Sequence, residues 1–351
     1  MIGIISSAVN YITGRTQSSA PRVVSLLPSA TEIVDAVGAT EYLVGVSHEC
    51  NYPAEVAKLP HLTSAENKFE SSQQMNDAVV AFIGDGKSLY ALDTHLLQKL
   101  RPTHIVTQSL CAVCAVSVDL VRAACASMNP KPVILDLNPR GLDDVVEDML
   151  RVGRELGLAE VAEFQAKAML ERVQRVVRVA DEAVAAAGGE RPSVAFLEWT
   201  APVYIGGHWT PQLIHMAGGS HPLNPPKGPG QAAGKSTAVE GSKVAGLDPD
   251  WIIVCPCGLN IPSALREMKD LEAQEWWRGL SAVQEGRLVV VDGDQMFNRP
   301  GPRLVDALEW LVALLHGGES NDALALCPGT FPWKQVLPRL STALEEPDEG
   351  D

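Results

Sequence analysis

The stretch SLLPSATEIVDAVGATEYLVGVSHECNYP, residues 25–53, decides the reading of the fold. It starts as an apolar strand, breaks at Pro28, continues with helical spacing and returns to strand at YLVGVS, residues 42–47. Thr31 and Glu32, just past Pro28 and Ser29, suit a first helical turn, where hydroxyls and carboxylates meet unpaired amides and the positive end of the helix dipole. Gly38 can close that helix. The second strand ends on Ser47-His48-Glu49-Cys50, setting an imidazole, a carboxylate and a thiol at one strand end.

The alternation continues downstream. A helix is predicted over 93–100, a strand at HIVTQ (104–108), a helix over 117–127 and a strand at PVILDL (132–137), a spacing that implies parallel βαβ units. Residues 54–92 read as a loop-rich excursion with a flexible GDG at 84–86. From Gly141 to Ala187 apolar and charged residues recur at helical spacing, interrupted by Gly153 and Gly157, which predicts one or two long helices. Apolar runs resume at SVAFLEW (193–199), DWIIVCP (250–256) and RLVVVDG (287–293), with helices expected near 211–217, 261–272 and 302–316. The expected fold class is α/β: two lobes with mainly parallel sheets, joined by a long rigid helix. Its parts are an N-terminal extension (1–20), a first lobe (21–140), an interlobe helix (141–189), a second lobe (190–317) and a C-terminal extension with an acidic tail (318–351).

A chain of 351 residues, 46% hydrophobic and 20% charged, fits two globular domains. The formal net charge of −15 removes the phosphate-neutralising attraction that drives nucleic-acid binding and repels anionic lipid. No apolar run approaches the roughly 20 residues of a membrane span, so no membrane insertion is expected. The first 21 residues carry no basic leader ahead of their apolar stretch, which sets the expected location as cytoplasmic, with an organelle as the alternative. Seven cysteines, odd in number and sparse, do not read as a disulfide framework, and the chain is expected to act as a monomer.

In open parallel α/β sheets ligands sit at the carboxyl ends of the strands. Those ends carry His48, Glu49, Cys50 and Tyr52; Cys111 and Cys114; Glu198, Trp199, His208 and Trp209; Cys255 and Cys257; and Phe297 with Arg299. Metal-ligand candidates are therefore His48, Cys50, Cys111, Cys114, His208, Cys255 and Cys257. Cys125 and Cys327 read as small buried hydrophobes, and His61, His95, His104, His215 and His316 as ordinary core or surface residues. Trp199 and Trp209 flank one loop in a chain with only 5% aromatics, as walls for a flat ligand would. Dinucleotide, Walker, HExxH and GxSxG signatures are absent, so nucleotide binding and hydrolase chemistry have no positive support.

Several segments together resemble the cobalamin-binding periplasmic proteins, substrate-binding components of ATP-binding cassette importers related to haem and siderophore binders. They are RVVSLLPSATEIVDAVGATEYLVGVSHECNYP, LRPTHIVTQ, FLEW with GGHWTPQLIHMAGGSHPL, LDPDWIIVCPCG and MFNRPGPRLVDALEWLVALL. The resemblance covers about 22–58, 93–138 and 190–316. It implies a helix-hinged binding protein with its ligand between the lobes and little closure. It also implies ligand contacts from Tyr52, Trp199, Phe297 and Arg299. Asp93 matches the first position that docks on the transporter; Ser242 stands at the second, with Glu240 beside it. The excursion 62–92 and the cysteine pairs depart from the exported cobalamin binders.

The expected function is non-catalytic binding of a corrinoid, cobalamin or a relative, as an intracellular carrier, sensor or transport-related protein. The expected ligand-binding residues are Ser29, His48, Glu49, Tyr52, Glu198, Trp199, His208, Trp209, Phe297 and Arg299. His48 or His208 would be the axial ligand of cobalt. One alternative is a haem or iron-chelate binder on the same scaffold. Another is a zinc-dependent enzyme with Glu198 or Glu49 as general base.

Overall fold

The computed structural model describes residues 20–65, 68–84, 89–109 and 116–338. Strand β1 (Val23–Ser25) leads into helix α1 (Pro28–Ala36). Pro28 opens the helix at no cost, since the amide it lacks would have no partner in the first turn. No side chain caps α1, contrary to the role expected of Thr31 and Glu32. Thr31 instead donates back to Ser25 Oγ at 2.8 Å, and Glu32 is buried at 2% exposure and faces the second lobe. Chain direction then returns through β2 (Leu43–Val46).

Residues 54–92 hold more structure than the loop-rich reading allowed. A 3₁₀ turn (Ala54–Lys58) precedes β3 (Thr63–Ala65), helix α2 (Ser72–Gly84) and β4 (Tyr90–Leu92), and β3 pairs antiparallel with β4. Helix α2 escapes a periodicity reading because its apolar residues do not form one buried stripe: Val80 is 61% exposed. Helix α3 (Thr94–Leu100) follows, its first turn capped by Asp93, whose carboxylate accepts from the Leu96 amide at 2.8 Å. Next come β5 (His104–Thr107), α4 (Val118–Cys125) and β6 (Val133–Asp136). The first sheet runs β2-β1-β5-β6, parallel throughout.

The connection is two helices, α5 (Leu142–Glu155) and the 28-residue α6 (Ala159–Ala186), the latter about 42 Å long at 1.5 Å per residue. Gly153 and Gly157 make the corner between them. A Cβ at Gly153 would lie 2.2 Å from Ala162 Cβ, so only glycine lets the helices approach, and Gly157 turns the chain at φ +75°. Asp144 reaches back to the Arg140 and Gly141 amides at 2.7 and 3.1 Å and fixes the start of α5.

The second lobe comprises β7 (Val194–Thr200), β8 (Val203–Ile205), α7 (Trp209–Met216), β9 (Thr237–Ala238), α8 (Gly241–Leu247), β10 (Trp251–Val254), α9 (Ile261–Glu272), α10 (Glu275–Arg278), α11 (Ser281–Gln284), β11 (Leu288–Val291), α12 (Leu304–His316), α13 (Asn321–Ala325) and β12 (Trp333–Val336). Its sheet runs β12-β11-β10-β7-β8-β9. The centre is parallel, as read, but β8, β9 and β12 are antiparallel. β12 lies within the segment assigned by sequence to a C-terminal extension; it pairs with β11 and belongs to this sheet.

Three apolar clusters fill the molecule. One backs the first sheet around Val24, Leu62 and Ile105, and another backs the second around Ile252, Met268 and Trp277. The largest runs unbroken from Val23 and Ile33 of the first lobe, through Val173 and Val176 of α6 and Trp310 of α12, to Phe196 and Val289 of the second. Arg172 on α6 adds ion pairs to Asp306 at 2.6 Å and Glu309 at 2.7 Å on α12. A shared core leaves little freedom at the hinge, since bending it would open voids in close-packed side chains.

Candidate ligand-binding site

The carboxyl ends of the two sheets face one another, and side chains bridge them at two places. The first bridge is ionic. Arg303, just before α12, donates through Nε to Glu32 of α1 at 2.9 Å and also pairs with its other oxygen. Arg299 donates to Asn51 Oδ1 at 2.6 Å, to the Glu49 carbonyl at 3.1 Å and to Asp294 at 2.8 Å. Asn51 donates in turn to Asp294 at 3.1 Å. The Arg303 guanidinium also lies 3.9 Å over the Tyr52 ring, a cation–π contact at the end of β2.

The second bridge comes from the excursion. Ser72, the first residue of α2, is fully buried and uses all its polar groups on the second lobe. Its amide donates to Glu267 of α9 at 2.6 Å, its hydroxyl accepts from Thr200 at 2.9 Å, and its carbonyl accepts from Trp199 Nε1 at 3.0 Å. Phe69 sets its ring against Trp199 edge to face, with centroids 6.3 Å apart.

Between these bridges the cleft is lined by acids. Cys257, in the loop after β10, is open to solvent yet enclosed by protein from both lobes, as a residue on a cleft floor must be. Burial, reinforced by Glu198, Glu49 and Asp294, pushes its thiol up to about 12, so it is a thiol and not a thiolate. Burial also raises the carboxyls of Glu49, Glu198 and Asp294 above the usual range. Opposing donors are Tyr90, whose hydroxyl meets Glu49 at 2.9 Å, the Gly207 amide at 3.3 Å from Glu198, and Arg299 on Asp294.

The candidate residues fall into distinct environments. His48 is half-buried at the end of β2, its Nδ1 2.7 Å from Thr63 Oγ1 and its ring 5.7 Å from that of Tyr90. Of its neighbours, Glu49 meets the Tyr90 hydroxyl and Tyr52, 41% exposed, lies under Arg303 of the second lobe. Glu198 and Trp199 stand at the end of β7. His208, at φ +54°, stacks on Trp209 at 5.6 Å, and burial with Arg140 and Lys235 nearby lowers its pKa. The Trp209 indole donates to the Phe297 carbonyl at 2.7 Å.

Other candidates are corrected by their burial. Phe297, at 1% exposure, sits in an aromatic core with Phe196, Trp310 and Phe331 and presents no ring to the cleft. Arg299 is 4% exposed with its donors engaged, so it ties the lobes together and does not reach out to a ligand. Ser29 is buried at 5% within the first turn of α1. Cys50 lies in the core 3.0 Å from Thr31 Oγ1, its thiol pushed up to about 11 by burial. Cys255 is wholly buried behind the strand end. Cys111 and Cys114 lie outside the described residues. Among the described residues no three His, Cys, Asp or Glu side chains are placed to hold a metal ion, so the structure does not gather His48, Cys50, His208, Cys255 and Cys257 into one cluster of ligands. Sequence reasoning missed Asn51 and Asp294, which the strand-end rule could have found one residue past each quoted motif, and Tyr90, Phe69 and Ser72, which no motif marked.

Two α/β lobes with facing strand ends, fused through a helical spine, define the bilobal architecture of a solute-binding protein. The chain belongs to the periplasmic binding protein family, which matches residues 23–295. No curated protein matches the chain. Among solved structures it is similar to a periplasmic heme binding protein from Pseudomonas aeruginosa, at 18% identity over 86% of this chain and 95% of that one, TM-score 0.64. It is likewise similar to the periplasmic vitamin B12 binding protein of Vibrio cholerae, at 19% over 84% and 96%, TM-score 0.59. A third is an ABC transporter substrate-binding protein from Listeria monocytogenes, at 16% over 85% and 100%, TM-score 0.59. The expected cytoplasmic or organellar location is overturned by this membership, since the family is one of periplasmic binding proteins. Among the described residues no helix is long and apolar enough to cross a membrane.

Proposed function

We propose that the cleft binds a corrinoid of the cobalamin type. The observation that carries this reading is the sign of the cleft wall. Glu49, Glu198 and Asp294 act together on Cys257, while Arg299 spends its donors on Asn51, Glu49 and Asp294. Carboxylates drawn out of water gain from N–H donors and lose beside other anions. The rim of a corrinoid carries carboxamides, which donate; the rim of haem carries two propionates, which repel. Family membership supports the two cargoes equally, and one feature favours haem: the corner where Arg140 and Lys235 act on His208 would suit propionates.

Delivery to an importer is supported by Asp93 and Glu240, exposed carboxylates at the starts of α3 and α8, one on each lobe. The test of the cargo is a titration with cyanocobalamin and with haemin, read by visible absorption and calorimetry. Cyanocobalamin should bind the more tightly, and Glu198→Lys should reverse the preference. Tighter binding of haemin by the unaltered protein would contradict the corrinoid reading.

A further inference from the structure

The excursion between β2 and α3 is docked against the carboxyl end of β7, where Trp199 and Thr200 stand. Trp199 of the second lobe and Phe69 of the first are both half-buried, and their planes cross at 88°. Phe69 leans on the second-lobe core although it belongs to a first-lobe insertion. Three hydrogen bonds from the second lobe hold Ser72, three residues further on, with no exposed surface. The contact is therefore built, and the ring of Phe69 is not free to swing away.

We propose that Phe69 is a ligand-contacting residue, forming with Trp199 an aromatic corner that takes the edge of a large planar ligand and sets which one fits. Two rings meeting at a right angle leave a re-entrant edge, in which a flat ligand stacks on one face while its rim meets the other. The Trp199 indole N–H is spent on the carbonyls of Ser72 and Ala201, at 3.0 and 3.2 Å, so the corner offers apolar ring surface and no donor. Such a corner discriminates by shape and rim bulk, complementing the acidic wall around Cys257. Ser72 is a positioning residue: it touches no ligand and acts through the placement of Phe69. The inference rests on the reading of the cleft as a tetrapyrrole-type site.

The experiment titrates the wild type, Phe69→Ala, Phe69→Leu, Ser72→Ala and the Phe69→Ala/Ser72→Ala double variant with cyanocobalamin and with haemin in parallel. Tryptophan quenching and calorimetry read affinity, and a thermal melt followed by circular dichroism reads folding. Phe69→Ala should weaken the bound ligand about tenfold and Phe69→Leu, which keeps bulk without the ring, about threefold. Ser72→Ala should shift the ratio of the two affinities, and the double variant should bind no worse than Phe69→Ala alone, because Ser72 acts only through that ring. If Phe69→Ala does not fold, the Leu variant decides. Folded Phe69 variants that bind as the wild type or tighter would overturn the corner while leaving the cargo reading intact. A wild type that binds neither probe would overturn both.

Discussion

The two bridges across the cleft do one job with opposite chemistries. At one end Glu32, Arg303, Arg299, Asn51 and Asp294 lock charges out of water; at the other a single serine backbone and hydroxyl engage Trp199, Thr200 and Glu267. The ionic bridge is drawn from α1 and the loop before α12, and the serine bridge from the excursion between β2 and α3. Buried ion pairs contribute little over a well-packed apolar substitute but are ruinous to half-break, because the partner charge is stranded. Hydrogen bonds to one serine fail more gently, at the cost of a few unsatisfied groups. The molecule thus holds one edge of its cleft in an all-or-none fashion and the other by increments.

Glu32→Ala should have the largest effect. It strands Arg303, whose side chain is 11% exposed, while Arg299 keeps Asp294 and Asn51, and should cost about 3–5 kcal/mol in urea unfolding. Replacing Glu32 and Arg303 together by Leu and Met should cost far less, and equal losses would break the contrast between the bridges. Ser72→Ala should cost about 1–2 kcal/mol by the same measurement, since Thr200 loses its acceptor while the backbone bonds to Glu267 and Trp199 persist.

The smallest effect is in pH dependence, and at the ionic end it falls to Glu49 and Asp294. Glu49 and Asp294 there have carboxyls raised by burial, so between the unfolded and folded pKa values the native state holds more protons than the unfolded one. Their favourable contribution is complete below the ordinary carboxylate range and is lost as pH rises through the raised folded values. Glu49→Gln should flatten that decline in stability curves taken across the acid range, while Ser72→Ala should leave its slope unchanged.

The architecture was legible because apolar runs and helical periods are local. The stretch 25–53 was read as strand, helix and strand; α1 and β2 lie within it, while β1 ends at its first residue, Ser25, and α9 runs over Ile261–Glu272, the range predicted. The antiparallel pairings of β8, β9 and β12 were not legible, since direction is set by what each strand meets. The site was half legible. The strand-end rule finds cleft loops, which brought out Glu49, Glu198 and Cys257, but it cannot tell a side chain on the cleft wall from one turned into the core behind it. Cys50 and Glu49 are adjacent in the turn after β2, closed by the Cys50 amide on the Ser47 carbonyl at 3.1 Å, and that turn sends the thiol into the apolar core while the carboxylate meets Tyr90. Phe297 and Arg299 were likewise placed in the right loop and assigned the wrong partners. Ser72 had no signal at all, because its value lies in three partners between 127 and 195 residues away in the chain.

The central claim is that the two bridges and the continuous core hold the lobes at one spacing before any ligand arrives. A distance distribution between spin labels on exposed Lys99 of α3 and Lys269 of α9, attached through unnatural amino acids to spare the native thiols, tests it directly. The account predicts one narrow population, unmoved by cyanocobalamin or haemin, that broadens when Glu32→Ala and Ser72→Ala are combined. A broad or two-peaked distribution in the unaltered protein, collapsing to a shorter distance on adding ligand, would contradict it.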